Sequence, residues 1–254
     1  MSVRIKAMTF NLKVCKSEKF LQRGEKILNV IKNEAPDLIG FQEGTDFMVD
    51  WLRDRLPEYY ILGHGREADY RGEGAHICYR RDRFDLQAFR EEWLSMDPQK
   101  PGSRIEGLDQ SDCPRVYCRA DLICRENHKP FSFFNVHIDH TGLHARIAQC
   151  YALMRDVASS PYPFVMTGDF NSLPHQPQIE MILATAEELG TVDCTRNIVG
   201  SCHGFTGDVG DNKLDYIFTN LVTDPDETYA VPDDDSCGFY YSDHHAICAF
   251  IEFP

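Results

Sequence analysis

The sequence predicts an α/β layered domain in which helices pack outside mixed β-sheets. Segments with the periodicity of strands alternate with helical segments early in the chain and cluster in pairs in its middle, a pattern typical of mixed sheets. Polar side chains recur where strand-like segments end, which is where open α/β sheets place their ligands. The 254 residues, 43% of them hydrophobic, allow a sizeable core. No linker divides the chain, so residues 1–254 are interpreted as one domain.

The first third of the chain predicts a strand, a helix and a second strand. Residues 3–8 alternate apolar and polar side chains, the period of a half-buried strand, and this strand leads to Asn11. Apolar residues have helical spacing over residues 23–35, and a proline then stops the helix. The short apolar stretch 37–41 follows as a buried strand, and Gln42-Glu43 lies directly at its end.

The middle of the chain predicts one helix, a strand, a β-hairpin, a surface loop and a further pair of strands. In that order they span residues 46–56, 59–62, 75–79 with 84–89, 97–114, and 116–124 with 131–136. The helix is expected to turn Phe47, Trp51 and Leu52 inward. The loop is rich in proline, glycine and serine, which favour irregular structure.

The last part of the chain adds a helix and three strands. One face of the helix carries apolar residues at helical spacing: Ile147, Tyr151, Met154 and Val157. Such a stripe is expected to face a sheet. The strands are predicted at residues 164–167, 215–218 and 246–251. The acidic run Asp233-Asp234-Asp235 lacks the spacing of a calcium loop and predicts a solvated turn.

Composition excludes several classes of protein. The formal net charge of −14 argues against a protein that coats nucleic acid. No apolar run approaches the roughly 20 residues that span a bilayer. The N-terminal residues lack a signal-peptide pattern, which predicts a cytoplasmic location. The ten cysteines are scattered without zinc-ribbon spacing, so reduced thiols are expected rather than disulfides.

Six short polar clusters carry the candidate chemistry, each near the beginning or end of a predicted strand. They are Asn11, Gln42-Glu43, Asn135 with His137, Asp169 with Asn171, Asp215, and Ser242-Asp243-His244-His245. Carboxylate and amide oxygens dominate the set, and this suits Mg²⁺ rather than structural zinc. Histidines held by a carboxylate suit the binding of phosphate oxygens. Together the clusters can supply what phosphoester hydrolysis needs.

In this order the clusters resemble the endonuclease/exonuclease/phosphatase superfamily. The resemblance runs from Met8 to His245 through the motifs Thr9-Phe10-Asn11, Gln42-Glu43, Asn135-Val136-His137, Gly168-Asp169-Phe170-Asn171, Asp215-Tyr216-Ile217-Phe218 and Ser242-Asp243-His244. It implies a four-layer α/β sandwich, in which two mixed β-sheets pack face to face with helices outside. It also implies a Mg²⁺- or Mn²⁺-dependent phosphodiesterase, nuclease or phosphatase that uses in-line attack by an activated water.

The resemblance further implies which residues hold the metal and the water. Glu43 matches the principal metal ligand of the family, and Asn11 and Asp243 match positions near the metal. Asp169 matches the residue that orients or deprotonates the attacking water. Asn171 is expected to assist Asp169.

The resemblance also implies roles toward the substrate. His244 matches the catalytic histidine, Asp215 the acid that orients it, and His137 a phosphate-binding histidine that Glu73 supports. Three further residues are expected to contact the substrate: Arg146, Arg115 and Asn135. For the two arginines a purely structural role, in capping or in ion pairs, stays open.

The substrate itself stays open, because these motifs recognise only the phosphate. Nucleic acid, nucleotide, lipid headgroup and sugar phosphate all fit, and the acidic composition favours a phosphorylated small molecule or a short nucleic acid. The alternative from another class is a catalytically silent member that binds a phosphorylated ligand or a protein partner. The complete motif set counts against that alternative.

Overall fold

The computed structural model describes residues 2–233 and 235–253, which contain thirteen strands and five α-helices. In chain order they are β1 (Val3–Asn11), α1 (Ser17–Glu34), β2 (Leu38–Gly44), α2 (Asp46–Arg55), β3 (Tyr59–Leu62), β4 (Gly74–Arg80), β5 (Phe84–Trp93), β6 (Val116–Cys124), β7 (Pro130–His137), α3 (Leu143–Ser159), β8 (Phe164–Asp169), α4 (Pro177–Leu183), α5 (Ala186–Leu189), β9 (Val192–Asp193), β10 (Asp215–Thr219), β11 (Val222–Thr223), β12 (Tyr229–Ala230) and β13 (Ile247–Phe253). A 3₁₀ turn, Pro225–Glu227, lies between β11 and β12.

The strands form two mixed sheets. The first has the order β11-β13-β1-β2-β4-β3, with β12 also paired to β13, and the second has the order β5-β6-β7-β8-β10-β9. The pairs β1–β2 and β7–β8 are parallel. Parallel neighbours need a long crossover, and α1 and α3 supply it for the two pairs. Each sheet therefore contains one βαβ unit whose two strands end at the same edge.

Three buried apolar clusters separate four layers. Along β1, Ile5 and Ala7 enter the cluster between the two sheets, whereas Met8 and Phe10 enter the cluster beneath α1 and α2. Successive residues of a strand point to opposite faces, so one strand serves two cores. The third cluster lies between the second sheet and the helices α3 and α4. The predicted four-layer α/β sandwich is confirmed.

The first helix shows how local sequence sets an element. Phe20, Ile27 and Ile31 share one buried face of α1. The helix ends when Ala35 turns into the left-handed region, with its backbone N–H donating to the oxygen of Ile31, and Pro36 prevents continuation. The end therefore agrees with the sequence prediction. The beginning lies at Ser17, six residues before the predicted one.

The predicted β-hairpin over residues 75–89 is wrong. Strand β4 pairs with β2 and β3 in the first sheet, and β5 pairs with β6 in the second. The charged turn between them carries the chain from one sheet to the other. The apolar alternation of a strand is the same whichever sheet receives it, so the pattern alone predicts strands but not their partners.

Two predicted inward residues are on the surface. Tyr151 on α3 is 59% exposed, and Phe47 on α2 is 42% exposed. The buried face of α3 instead includes Cys150 and Leu153, together with the expected Met154 and Val157. The helical spacing of the apolar residues is confirmed, but the buried face of α3 is rotated away from Tyr151.

Asp233 corrects the prediction of a solvated acidic turn. Its side chain is 1% exposed and forms an ion pair with Lys26 at 2.9 Å. Asp235 is exposed, and Asp234 lies outside the described residues. All ten cysteines are free, as expected. Across residues 2–233 and 235–253, none of the helices has the length and apolar character required to cross a membrane.

Candidate active site

Strand ends from both sheets meet at one edge of the sandwich. Parallel pairing aligns Asn11 with Gln42 in the first sheet. In the second sheet Asp169 lies opposite His137 on β7 and opposite Asp215 on β10. The polar clusters gathered here fall into two groups, which we call the cation half (Asn11, Lys13, Glu43 and Asp243) and the histidine half (His137, Asp169, Asn171, Asp215 and His244).

Asn11 joins the two halves. Its amide Nδ2 donates to Glu43 Oε1 at 3.1 Å and to Asp169 Oδ2 at 2.9 Å. The amide oxygen, expected to face a metal, accepts instead from the backbone N–H of Lys13 at 2.9 Å. Glu43 also accepts from the backbone N–H of Val14 at 2.8 Å. Asn11 therefore fixes the relative position of two carboxylates that belong to different sheets.

Lys13 supplies a positive charge between the acids of the cation half. Its Nζ lies 3.1 Å from Asp243 Oδ2 and 3.8 Å from Glu43 Oε2. Burial disfavours the ammonium, but the two carboxylates outweigh it and raise the pKa of Lys13. Asp243 Oδ1 is buried without a hydrogen-bond partner among the described residues. This oxygen and the shared Lys13 contact show that Glu43 and Asp243 fit a cation, and oxygen donors of this kind suit Mg²⁺.

The histidine half is centred on a buried His244–Asp215 pair. His244 Nδ1 donates to Asp215 Oδ2 at 2.7 Å, and Ser201 Oγ donates to the same oxygen at 2.6 Å. The other ring nitrogen of His244 lies 4.0 Å from Asp169 Oδ2. His137 Nε2 reaches within 3.8 Å of that oxygen. Both histidines thus face the same carboxylate.

The two histidines differ in charge. Burial opposes protonation of both, but at His244 the Asp215 carboxylate outweighs it and raises the pKa well above the usual range. At His137 burial lowers the pKa to well below its usual range, and the charges of Arg115 and Arg66 lower it further. His244 is therefore an imidazolium near neutral pH, whereas His137 is a neutral ring.

Asp169 is a carboxyl group with a raised proton affinity. Burial, and then the negative charge of Asp215, raise its pKa to about 7. The backbone N–H of Asn171 donates to Asp169 Oδ1 at 2.9 Å, and the Asn171 side chain donates to the oxygen of Ile138 at 3.0 Å. Asn171 has φ of 45°, a left-handed conformation that asparagine tolerates. This turn aims the Asp169 carboxyl group at the site.

Asn135 lies beneath the site rather than in it. It is fully buried and donates to the backbone oxygens of Phe41 at 2.8 Å and His76 at 2.9 Å. Its Oδ1 accepts from Gln42 Nε2 at 2.7 Å and from Thr167 at 3.1 Å. The bonds with Phe41, His76 and Gln42 cross to the first sheet, and the bond with Thr167 lies within the second, so the polar atoms of Asn135 are all engaged within the protein.

The expected substrate arginines are both buried. Arg115 is 2% exposed and Arg146 is 9% exposed, and the Nε atoms of both lack partners among the described residues. Glu73 pairs with Arg66 at 2.9 Å. Among the described residues no hydrogen bond joins Glu73 to His137. The acid can affect that histidine only indirectly, through Arg66, whose charge acts on the ring.

Sequence reasoning missed three residues at this edge. Lys13 carried a usable signal, because it lies two positions after Asn11. Ser201 and Arg66 carried none: both lie in irregular segments, and only the tertiary fold brings them to Asp215 and Glu73.

A four-layer sandwich with carboxylates, amides and histidines at one sheet edge defines the DNase I-like class of folds. The family model described as the Endonuclease/Exonuclease/phosphatase family matches residues 8–244. The chain belongs to this family, whose members hydrolyse phosphoester bonds.

Similar proteins include bacterial and viral ones. The solved structure of an endonuclease/exonuclease/phosphatase from Bacteroides vulgatus is 25% identical, covers 99% of this chain and 100% of that one, and has a TM-score of 0.89. A mannosyl-6-phosphatase of Bacteroides thetaiotaomicron is 22% identical with coverages of 96% and 98% and a TM-score of 0.81. An uncharacterized protein of Acanthamoeba polyphaga mimivirus is 28% identical over 162 residues, 61% of this chain. The chain spans only 60% of the length of that curated relative.

Proposed function

We propose that residues 1–254 act as one domain that hydrolyses phosphoester bonds with Mg²⁺ or Mn²⁺, by in-line attack of water. The observation that carries this proposal is Asp169, a buried carboxyl group within 4.0 Å of both histidines and bonded through Asn11 to the cation half. A carboxylate with a pKa near 7 can take a proton from water at neutral pH.

The cation half is assigned to the metal. Glu43 and Asp243 would hold the cation with Asn11 beside them, and the bound cation would stabilise negative charge on the transferring phosphoryl group. The cluster Asp169, Asp215 and His244 also brings ligand atoms within 4.8 Å of one another. That cluster already contains an imidazolium bonded to Asp215, and a second cation there would be repelled, so we favour the cation half.

The histidine half is assigned to proton transfer and charge stabilisation. The water oxygen attacks phosphorus, its proton passes to Asp169, and the bond to the leaving oxygen breaks. The imidazolium of His244, held by Asp215, donates to a phosphoryl oxygen on which negative charge increases. Neutral His137 donates from a second side. Asn171 orients Asp169.

Arginines are assigned to the remaining phosphate oxygens. Arg115 and Arg146 keep guanidinium N–H groups without partners among the described residues, which supports contact with an anion. Asn135 positions the strands beneath the site, and Glu73 is a supporting residue. The substrate class is a phosphorylated small molecule or a short nucleic acid, and the similar mannosyl-6-phosphatase favours the former. The cytoplasmic location stays a prediction.

Hydrolysis of bis-p-nitrophenyl phosphate tests the proposal. We expect purified protein to release p-nitrophenol with Mg²⁺ or Mn²⁺ and to stop with EDTA. Asp169→Asn keeps the shape of the side chain but removes the proton acceptor, so we expect a loss of about 1000-fold or more. Asp85→Asn, an exposed acid paired with Arg125, is the matched control and is expected to keep full activity.

The catalytically silent alternative is not favoured, because a phosphate-binding module needs neither the Asp169 carboxyl group nor the His244–Asp215 pair. Equal activity of the wild-type protein and Asp169→Asn would contradict the catalytic assignment. Calorimetric titration that detects no binding of Mg²⁺ or Mn²⁺ would contradict the cation assignment.

A further inference from the structure

Arg66 and Arg115 have guanidinium N–H groups that no described residue uses. The two residues are 6% and 2% exposed. Nε of Arg66 and both Nε and Nη1 of Arg115 are buried without a hydrogen-bond partner among the described residues. Buried donors without partners are rare in folded proteins, so three in two neighbouring arginines require a reason.

The acid nearest to Arg115 is already saturated. Asp139 accepts from the backbone N–H groups of Thr141 at 2.9 Å and Gly142 at 2.8 Å, and from both the backbone and the hydroxyl of Ser111. A carboxylate has about four lone-pair positions. Arg115 Nε lies 3.6 Å from Asp139, beyond hydrogen-bond distance. Asp139 therefore offsets the charge of Arg115 but leaves its Nε and Nη1 donors unused.

Arg66 is fixed in place by one side of its guanidinium. Its Nη2 pairs with Glu73 Oε1 at 2.9 Å, and its backbone oxygen accepts from the Trp93 ring at 2.7 Å. Burial raises the pKa of Glu73 even though Arg66 opposes this. The pairing holds Arg66 in a single orientation and leaves Nε available.

The unused donors border the histidine half. The charges of Arg115 and Arg66 both act on His137, whose Nε2 is 3.8 Å from Asp169. Arg115 Nη2 also contacts Nδ1 of His140, an exposed residue, at 2.6 Å. Arg115 thus lies beside the histidine half and near the surface, and Arg66 is close enough for its charge to act on both Arg115 and His137.

We propose that Arg66 and Arg115 form an anion subsite that binds the phosphate dianion of a phosphomonoester. Guanidinium groups match phosphate oxygens in pairs, and two of them favour a group with two charges over the single charge of a diester. The proposal rests on the proposed function for its placement beside Asp169. It adds Arg66 as a specificity-determining residue and a monoester as the preferred substrate.

Calorimetry with inorganic phosphate, in EDTA, tests binding without any catalytic step. We expect Arg66→Gln to weaken phosphate binding by about 10-fold or more, and Arg66→Lys to weaken it less, because the charge stays while the paired donors are lost. Glu73→Gln removes a negative charge beside the subsite and is expected to tighten binding several-fold. Arg125→Gln, at an exposed pair with Asp85, is the matched control.

Opposite signs for Arg66→Gln and Glu73→Gln separate recognition from structure, because loss of packing would weaken binding in both. The proposal is overturned if neither variant changes phosphate affinity, or if Arg125→Gln changes it as much as Arg66→Gln. Because the calorimetric test needs no turnover, it shows whether the subsite binds phosphate even if the protein has no hydrolase activity. Thermal unfolding of each variant reports whether it folds.

Kinetics identify which phosphate the subsite holds. If it holds the scissile group, Arg66→Gln lowers kcat/KM for p-nitrophenyl phosphate about 10- to 100-fold and lowers that for bis-p-nitrophenyl phosphate much less. If the subsite instead serves a second phosphate that is not cleaved, Arg66→Gln lowers kcat/KM for the p-nitrophenyl ester of thymidine 5′-phosphate that carries a 3′-phosphate, and much less for the same ester without it. Equal losses on all these substrates contradict a dianion subsite.

Discussion

The two halves of the candidate site hold acids of the same kind in two different ways. In the cation half, the charge that offsets Glu43 and Asp243 comes from Lys13, a long side chain that is 36% exposed. In the histidine half, the charge that offsets Asp215 and Asp169 comes from His244, whose side chain is 6% exposed and is held at 2.7 Å. The positive charge of Lys13 can be exchanged for another cation, whereas that of His244 is part of the buried structure.

Under the proposed function, this difference suits the two halves to different tasks. A flexible ammonium can leave when a divalent cation arrives, since it interacts with the same oxygens and gives way without changes to the backbone. A buried imidazolium cannot leave, so it is suited to a fixed position beside developing charge. Each half can be altered separately, because Asn11 joins them through one amide group.

Among the variants that compare the two halves, the largest effect is expected from the one that removes the support of the fixed charge. Asp215→Asn removes the carboxylate that keeps His244 protonated, so kcat with saturating Mg²⁺ is expected to fall about 100- to 1000-fold. Steady-state kinetics on bis-p-nitrophenyl phosphate measure it. Ser201→Ala is the graded control: it removes a hydroxyl that donates to Asp215 Oδ2 and accepts from the backbone N–H groups of Leu214 and Asp215, but it leaves the carboxylate in place. It is expected to cost less than about 10-fold. A loss below about 3-fold in Asp215→Asn would contradict the role of the histidine half.

The next effect is expected from the acid of the cation half. Glu43→Gln keeps the side-chain shape but removes one negative charge, so metal affinity is expected to fall about 10- to 100-fold. Calorimetric titration with Mg²⁺ or Mn²⁺ measures this loss. Higher metal concentration is expected to restore much of the activity of Glu43→Gln and none of that of Asp215→Asn. The same response in both variants would remove the distinction between the halves.

The exchangeable charge predicts a smaller change of opposite sign. Lys13→Met removes an ammonium that competes for Glu43 and Asp243, so Mg²⁺ affinity is expected to rise about 3- to 10-fold. In EDTA, without bound metal, Lys13→Met is expected to be less stable than the wild-type protein, because Glu43 and Asp243 then repel each other. Lys19→Met, on the first turn of α1, is the control. Weaker Mg²⁺ binding in Lys13→Met would show that the lysine supports the metal instead of competing with it.

Local sequence patterns predict the elements of this fold and the order of its polar clusters. The bounds of β3 agree with the prediction at residues 59–62, and Pro36 correctly ends α1. Motif residues come together because each follows a strand, and strand ends share an edge. The partners of β4 and β5 could not be predicted, since both strands carry ordinary alternation and the choice of sheet depends on distant segments.

Side-chain chemistry within the site was less predictable than its location. Both rings are buried, and the difference in charge between neutral His137 and protonated His244 depends on which of them has Asp215 as a neighbour and which has Arg66 and Arg115. Asn135 belongs to a strand-end motif, yet the close approach of the sheets makes it structural. At Gly40 on the facing strand, a Cβ would lie 2.0 Å from Thr167 and 2.3 Å from Asn135.

The smallest effect is expected on the free energy of unfolding, whose dependence on pH differs between variants of the two halves. The folded pKa of His244 is raised, so its contribution is complete below the unfolded value of 6.5 and is lost as pH rises through the folded value. In EDTA, the free energy of unfolding of the wild-type protein minus that of Asp215→Asn is therefore expected to shrink by about 1 kcal/mol or more between pH 7 and 10. Lys13 has a pKa raised above 10.5, so the corresponding difference for Lys13→Met stays constant over this range. Urea unfolding at several pH values measures both, and a parallel loss in the two variants would mean that the halves are not held by different charges.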